Sequence, residues 1–97
     1  MSDIDDIGAV IGIWLGFEKQ TSNEAKKNRQ EAALYRVKSK LETGKRSEVL
    51  SCMAEVHEDI ATALKLKAAL CRSMAFAVRD DASVAYGLDV GTFMVAK

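Results

Sequence analysis

Proline is absent from the 97 residues, and five of the six glycines lie before residue 17 or after residue 86. Between Phe17 and Tyr86 the one interruption of that kind is Gly44. Nothing else there removes a backbone donor or frees the chain from the α region, so the long middle favours helix. The expected fold class is all-α: a helical hairpin or small bundle in a single domain. One long C-terminal helix is expected over about residues 47–79, followed by an extended or irregular arm.

The break at Gly44 is the clearest in the chain. Thr43 precedes it, Gly44 suits a left-handed C-cap, Lys45 and Arg46 sit at the boundary, and Ser47 is a natural N-cap for the long helix. Beyond it, Val49, Met53, Val56, Ile60, Ala63, Lys67, Leu70, Met74 and Ala77 recur at alternating spacings of four and three. Lys67 alone is charged in that seam. A parallel series one position on, with Leu50, Ala54, His57, Ala61, Leu64, Ala68, Cys71, Ala75 and Val78, keeps the spacing with smaller side chains. Together the two make an apolar face broader than a two-stranded coiled-coil seam needs.

The N-terminal segment is different in kind. Gly8, Gly12 and Gly16 recur every fourth residue in GAVIGIWLG, with Trp14 and Phe17 beside them and Asp3, Asp5 and Asp6 at the start, where acidic groups favour a helix N-terminus. Each glycine weakens a helix by about 1 kcal/mol relative to alanine, so a neighbouring backbone is expected against the ridge, supplied by the long helix of the same copy or of the next. The uncharged stretch 7–17 is about 16 Å long as a helix, short of the twenty residues a bilayer span takes. Then Thr21-Ser-Asn-Glu24 has capping-box spacing, so a second helix starts there or the first runs through. The organisation expected is a Gly-spaced helix over 1–20, a polar basic helix over 21–43, the long amphipathic helix over 47–79 and an arm over 80–97. In that arm Val84, Tyr86, Leu88 and Val90 alternate as extended structure does, although 82–86 also suits a further helical turn.

Charge is balanced overall, fourteen basic side chains against fourteen acidic, so no global field selects nucleic acid or an anionic surface. The local distribution is blocky. Residues 47–64 carry a net −4 and residues 65–79 a net +4, a pattern that suits antiparallel neighbours or staggered copies. The stretch 26–46 holds Lys26, Lys27, Arg29, Arg36, Lys38, Lys40, Lys45 and Arg46 against Glu31 and Glu42. These eight are the candidate anion contacts, but they are spread around a helix with Tyr35 as the sole aromatic, which reads better as a solvated surface.

Catalytic, cofactor and metal readings find little support. His57 is the single histidine, five residues from Cys52, and no CxxC, HxxxH or ExxH pair occurs. No enzyme, no cofactor and no metal site is expected. His57 is expected at the edge of the packed face with its polar tip near solvent, and Lys67 either specifies register or snorkels outward. Cys52 and Cys71 lie nineteen positions apart on one expected helix, too far to bridge, and read as reduced thiols of a cytoplasmic chain with no evident secretory signal.

The order of a Gly-spaced apolar start and an Ala/Gln/Asn-rich polar helix, over roughly the first forty residues, resembles the opening of internal ejection proteins of short-tailed phages. The resemblance is one of style, without a motif, and the much longer remainder of such proteins has no counterpart here. It implies a phage or mobile-element origin, with a structural or inhibitory, anti-defence role. The leading expectation is a non-enzymatic helical protein that self-associates and binds another protein. Its packing or interface residues are Gly8, Gly12, Gly16, Trp14, Phe17, Val49, Met53, Val56, Ile60, Leu64, Leu70 and Met74. The alternatives are a peripheral membrane or membrane-penetrating factor acting through residues 7–17, and nucleic-acid or nucleotide binding through the basic helix 26–46.

Overall fold

The computed structural model describes residues 3–87, which form a helical hairpin: α1 is Asp3–Leu41 and α2 is Gly44–Tyr86. The all-α hairpin expected from the sequence is what the chain forms. Glu42 and Thr43 connect the helices, and Gly44 takes φ +64°, a conformation that an L side chain rarely adopts. The Glu42 N–H donates to the Ser39 carbonyl at 3.3 Å and closes the last turn of α1.

The helix boundaries differ from the expected ones for identifiable reasons. Because α2 starts at Gly44, Ser47 lies within it and is not its N-cap. The Ser47 hydroxyl instead donates to the Ser39 carbonyl at 2.9 Å, and the Ser39 hydroxyl donates to the Ser47 carbonyl at 2.9 Å. That reciprocal pair fixes the register of the two helices beside the turn. Thr21 is buried within α1, so of the two alternatives left open there the helix runs through. At the other end α2 continues past Asp80 and Asp81, and Gly87, at φ +64°, ends it. The extended reading of Val84 and Tyr86 therefore gives way to the helical one. The remainder of the expected arm, 88–97, lies outside the described residues.

Two compact units make up the chain, Thr21–Leu66 around the turn, and Met1–Gln20 with Lys67–Lys97. In the first, the positions of α1 turned inward are Thr21, Ala25, Asn28, Ala32, Tyr35 and Ser39, at spacings of four and three. Their counterparts on α2 are Ser47, Leu50, Ala54, His57, Ala61 and Leu64. Ala25 and Ala54 are wholly buried. Taking the register from the Ser39–Ser47 pair, Ala32 stands level with Ala54, and Ala25 with Ala61. Alanine at one of the two inward positions of each heptad lets the backbones approach closely, and a strict seven-residue repeat keeps the seam facing its partner. In the second unit the same α2 repeat continues as Ala68, Ala75 and Ala82, all buried. There Ile11 packs with Ala75 and Ala82, joined by Ile7, Trp14, Leu15 and Val78.

The two α2 series have identical spacing, so period alone does not tell which one the hairpin buries. The residues of α1 decide it. Small or polar side chains at Ala25, Asn28, Ala32 and Ser39 complement the smaller series, with its alanines, His57 and Ser47, and leave the larger one outside.

Candidate interaction surface

Along the Thr21–Leu66 unit, Val49, Met53, Val56 and Ile60 are exposed, with Val56 at 55 % of its full accessible area. Beside them an open depression is lined by Glu48, Val49, Cys52, Met53, Val56 and His57. In the other unit Leu70 and Met74 are also exposed, Leu70 at 66 %, and Lys67 is exposed between Ile60 and Leu70 in the series. Leu64 belongs to the covered series and is half-buried. One series of α2 thus lies in the intrachain seam, and its larger neighbour faces water. An apolar series of this length is a feature that soluble surfaces rarely leave without a role.

Polar contacts hold the seam of the first unit. Arg36 donates through Nε and Nη2 to Glu58 Oε1 and Oε2, both at 2.7 Å, a two-pronged match of guanidinium to carboxylate. The hydrogen bond from Arg36 lowers the Glu58 pKa below the ordinary carboxylate value, and the bond to Glu58, followed by its charge, raises that of Arg36. His57 stacks on Tyr35, with centroids 5.5 Å apart and planes inclined by 17°. Its Nδ1 lies 2.9 Å from Asn28 Oδ1, a bond in which the ring N–H donates. Lys38 Nζ stands 5.6 Å from the Tyr35 centroid. His57 is thus half-buried and tied into the seam. Through the Arg36–Glu58, Tyr35–His57 and Asn28–His57 contacts this cluster ties α1 to α2 within the unit.

Within one copy the glycine ridge has no neighbour lying against it. A Cβ built on Gly8, Gly12 or Gly16 would meet no atom within 4 Å, so the long helix of the same copy does not lie against the ridge. The physical reason is angular: Ile7, Ile11, Trp14 and Leu15 face the packed core, and the glycines fall on the flank. Trp14 packs against the Ile11 cluster, while Phe17 is exposed and meets Trp14 edge-on, centroids 6.0 Å apart. Of the basic block, Lys26, Lys27, Arg29, Arg36, Lys38, Lys40, Lys45 and Arg46 are all exposed. Arg36 is committed to Glu58, and Arg46 lies 3.6 Å from Glu42. Cys52 is exposed and Cys71 buried, both as free thiols. Among the described residues no group of three or more His, Cys, Asp or Glu is placed to hold a metal ion, and no helix is long and apolar enough to cross a membrane.

Sequence reasoning missed the α1 half of the seam: Ala25, Asn28, Ala32 and Ser39. A signal was present in the recurrence of alanine at 25 and 32, matching the seven-residue step of Ala54, Ala61, Ala68, Ala75 and Ala82. The fold and surface define a class, a helical hairpin closed by an alanine seam that leaves a second, larger apolar series in water. Comparison of the chain with protein-family models, with curated proteins and with solved structures found no match.

Proposed function

We propose that the protein is a non-enzymatic helical interaction module that self-associates, and binds a protein partner, through the exposed α2 series Val49, Met53, Val56, Ile60, Leu70 and Met74. The observation that carries this reading is the pair of adjacent heptad series on one helix, of which the hairpin uses one. A helix with a single partner needs one such seam; a second, of larger side chains, is the pattern of a helix that packs on two sides. The charge depletion along the exposed series, broken by Lys67, agrees with the composition of interface cores.

Sedimentation velocity or mass photometry across the micromolar range tests this. The wild-type chain is expected to form a species larger than the monomer. Val56→Glu, at a well-exposed position outside the buried series, is expected to return it to the monomer with unchanged helicity by circular dichroism. A wild-type chain that stays monomeric throughout that range overturns self-association.

A further inference from the structure

We propose that the occupant of the exposed α2 series is the α2 of a second copy, laid antiparallel about a two-fold axis near Ala63. The inference rests on the self-association proposed above and adds direction and register to it.

Three observations carry it. Val49, Met53, Val56 and Ile60 lie 14, 10, 7 and 3 residues before Ala63, and Lys67, Leu70, Met74 and Ala77 lie 4, 7, 11 and 14 residues after it. A stripe with its own midpoint is self-complementary when reversed, which is what an isologous two-fold contact requires. Charge selects the direction. From Ser47 to Leu64, α2 carries Glu48, Glu55, Glu58 and Asp59 and no Lys or Arg; from Lys65 to Arg79 it carries Lys65, Lys67, Arg72 and Arg79 and no Asp or Glu. Reversed copies set the acidic half of one against the basic half of the other, whereas parallel copies in register set like against like along the whole contact. Lys67 is the third. It is exposed in the middle of an apolar series, and neither it nor Asp59 makes an ion pair within the described residues. In the reversed arrangement Lys67 of each copy falls beside the Glu55–Ile60 turn of the other, so the one charge in the stripe meets carboxylates and penalises other registers.

The geometry supplies its own reporter. Cys52 and Ser73 are both exposed, on the same flank of the stripe, and lie 11 residues before and 10 after Ala63. Antiparallel pairing brings Cys52 of one copy next to Ser73 of the other. Within one copy they stand about 31 Å apart along the helix, beyond any disulfide. Mild oxidation of the full-length Ser73→Cys variant is expected to give a covalent dimer linked between position 52 of one chain and position 73 of the other, identified by peptide mapping. Wild-type protein is expected to give none, and adding Val56→Glu to Ser73→Cys is expected to abolish the link. A Cys52–Cys52 dimer from the wild-type chain overturns the antiparallel direction while leaving self-association standing. So does a dimer by sedimentation that Ser73→Cys fails to lock, whereas a link that survives Val56→Glu overturns the exposed α2 series as the contact. A wild-type chain that is monomeric at every concentration overturns both.

Discussion

At Gly12 the space where a methyl group would stand is empty, and the backbone there is ordinary helix. Alanine in its place adds no clash and removes conformational freedom from the unfolded chain, so Gly12→Ala is expected to stabilise the protein by about 0.5–1 kcal/mol. Urea unfolding checks this as a rise in midpoint at unchanged slope. A fall in stability would mean that a second chain presses on the glycine flank in solution. Residue chemistry also sets an acid dependence. Glu58 has a folded pKa below its unfolded value, through the hydrogen bond from Arg36. Its contribution to stability is therefore complete above the unfolded carboxylate pKa and is lost as pH falls through the depressed folded value. Wild-type protein is expected to lose stability on acidification through the carboxylate range, and Arg36→Gln to lose less across that range, both followed by thermal midpoint against pH. The pair is well exposed, at 44 % for each side chain, so added salt is expected to shrink the difference.

At the scale of the helices, the seam tolerates little extra volume. Ala61 is 3 % exposed in the packed series and Ala69 is exposed, one residue past Ala68. Ala61→Leu is expected to destabilise the hairpin by about 1–3 kcal/mol through overpacking, and Ala69→Leu to change it by less than about 0.5 kcal/mol. Denaturant titration of the two variants separates seam from surface. The helices themselves were legible in the sequence. Freedom from proline and the glycine at 44 point to helix on both sides of a turn, because these are local effects on φ and on backbone donors, while the run-through at Thr21 and the extension of α2 to Tyr86 come from the structure. Which face closes the hairpin was not legible from α2, where two series share one period. It was written in α1, in Asn28, Ala32 and Ser39, whose small size or polarity reads as solvated surface until a partner helix is known. Ser47 reads as a cap for a related reason: a hydroxyl that suits a cap locally finds a better use across the turn with Ser39. The glycine ridge was legible as a helix but not as a face, since four-residue spacing says that a flank is bare without saying that anything lies on it. The apolar series Val49 to Met74 was legible as a series, and the structure adds that the hairpin leaves it exposed.

For the molecule as a whole, the two series on α2 separate the side chains that close the hairpin from those left exposed. Net charge is zero while residues 47–79 of α2 are split into an acidic and a basic half, so in the proposed dimer attraction between copies acts at short range and in one orientation rather than through a general field. The alanine seam carries a thermal consequence as well. Buried apolar area dominates the heat capacity of unfolding, about 12–15 cal/mol/K per residue for ordinary domains. A hairpin closed largely by methyl groups buries less of it, so the monomeric Val56→Glu variant is expected to show a smaller increment per residue by scanning calorimetry. Its stability then varies only gently between cold and heat. Pairing of the wild-type chain adds the missing part, seen as a negative heat-capacity change on association, measured by calorimetric dilution. In the proposed dimer the temperature sensitivity therefore belongs to the assembly more than to the fold.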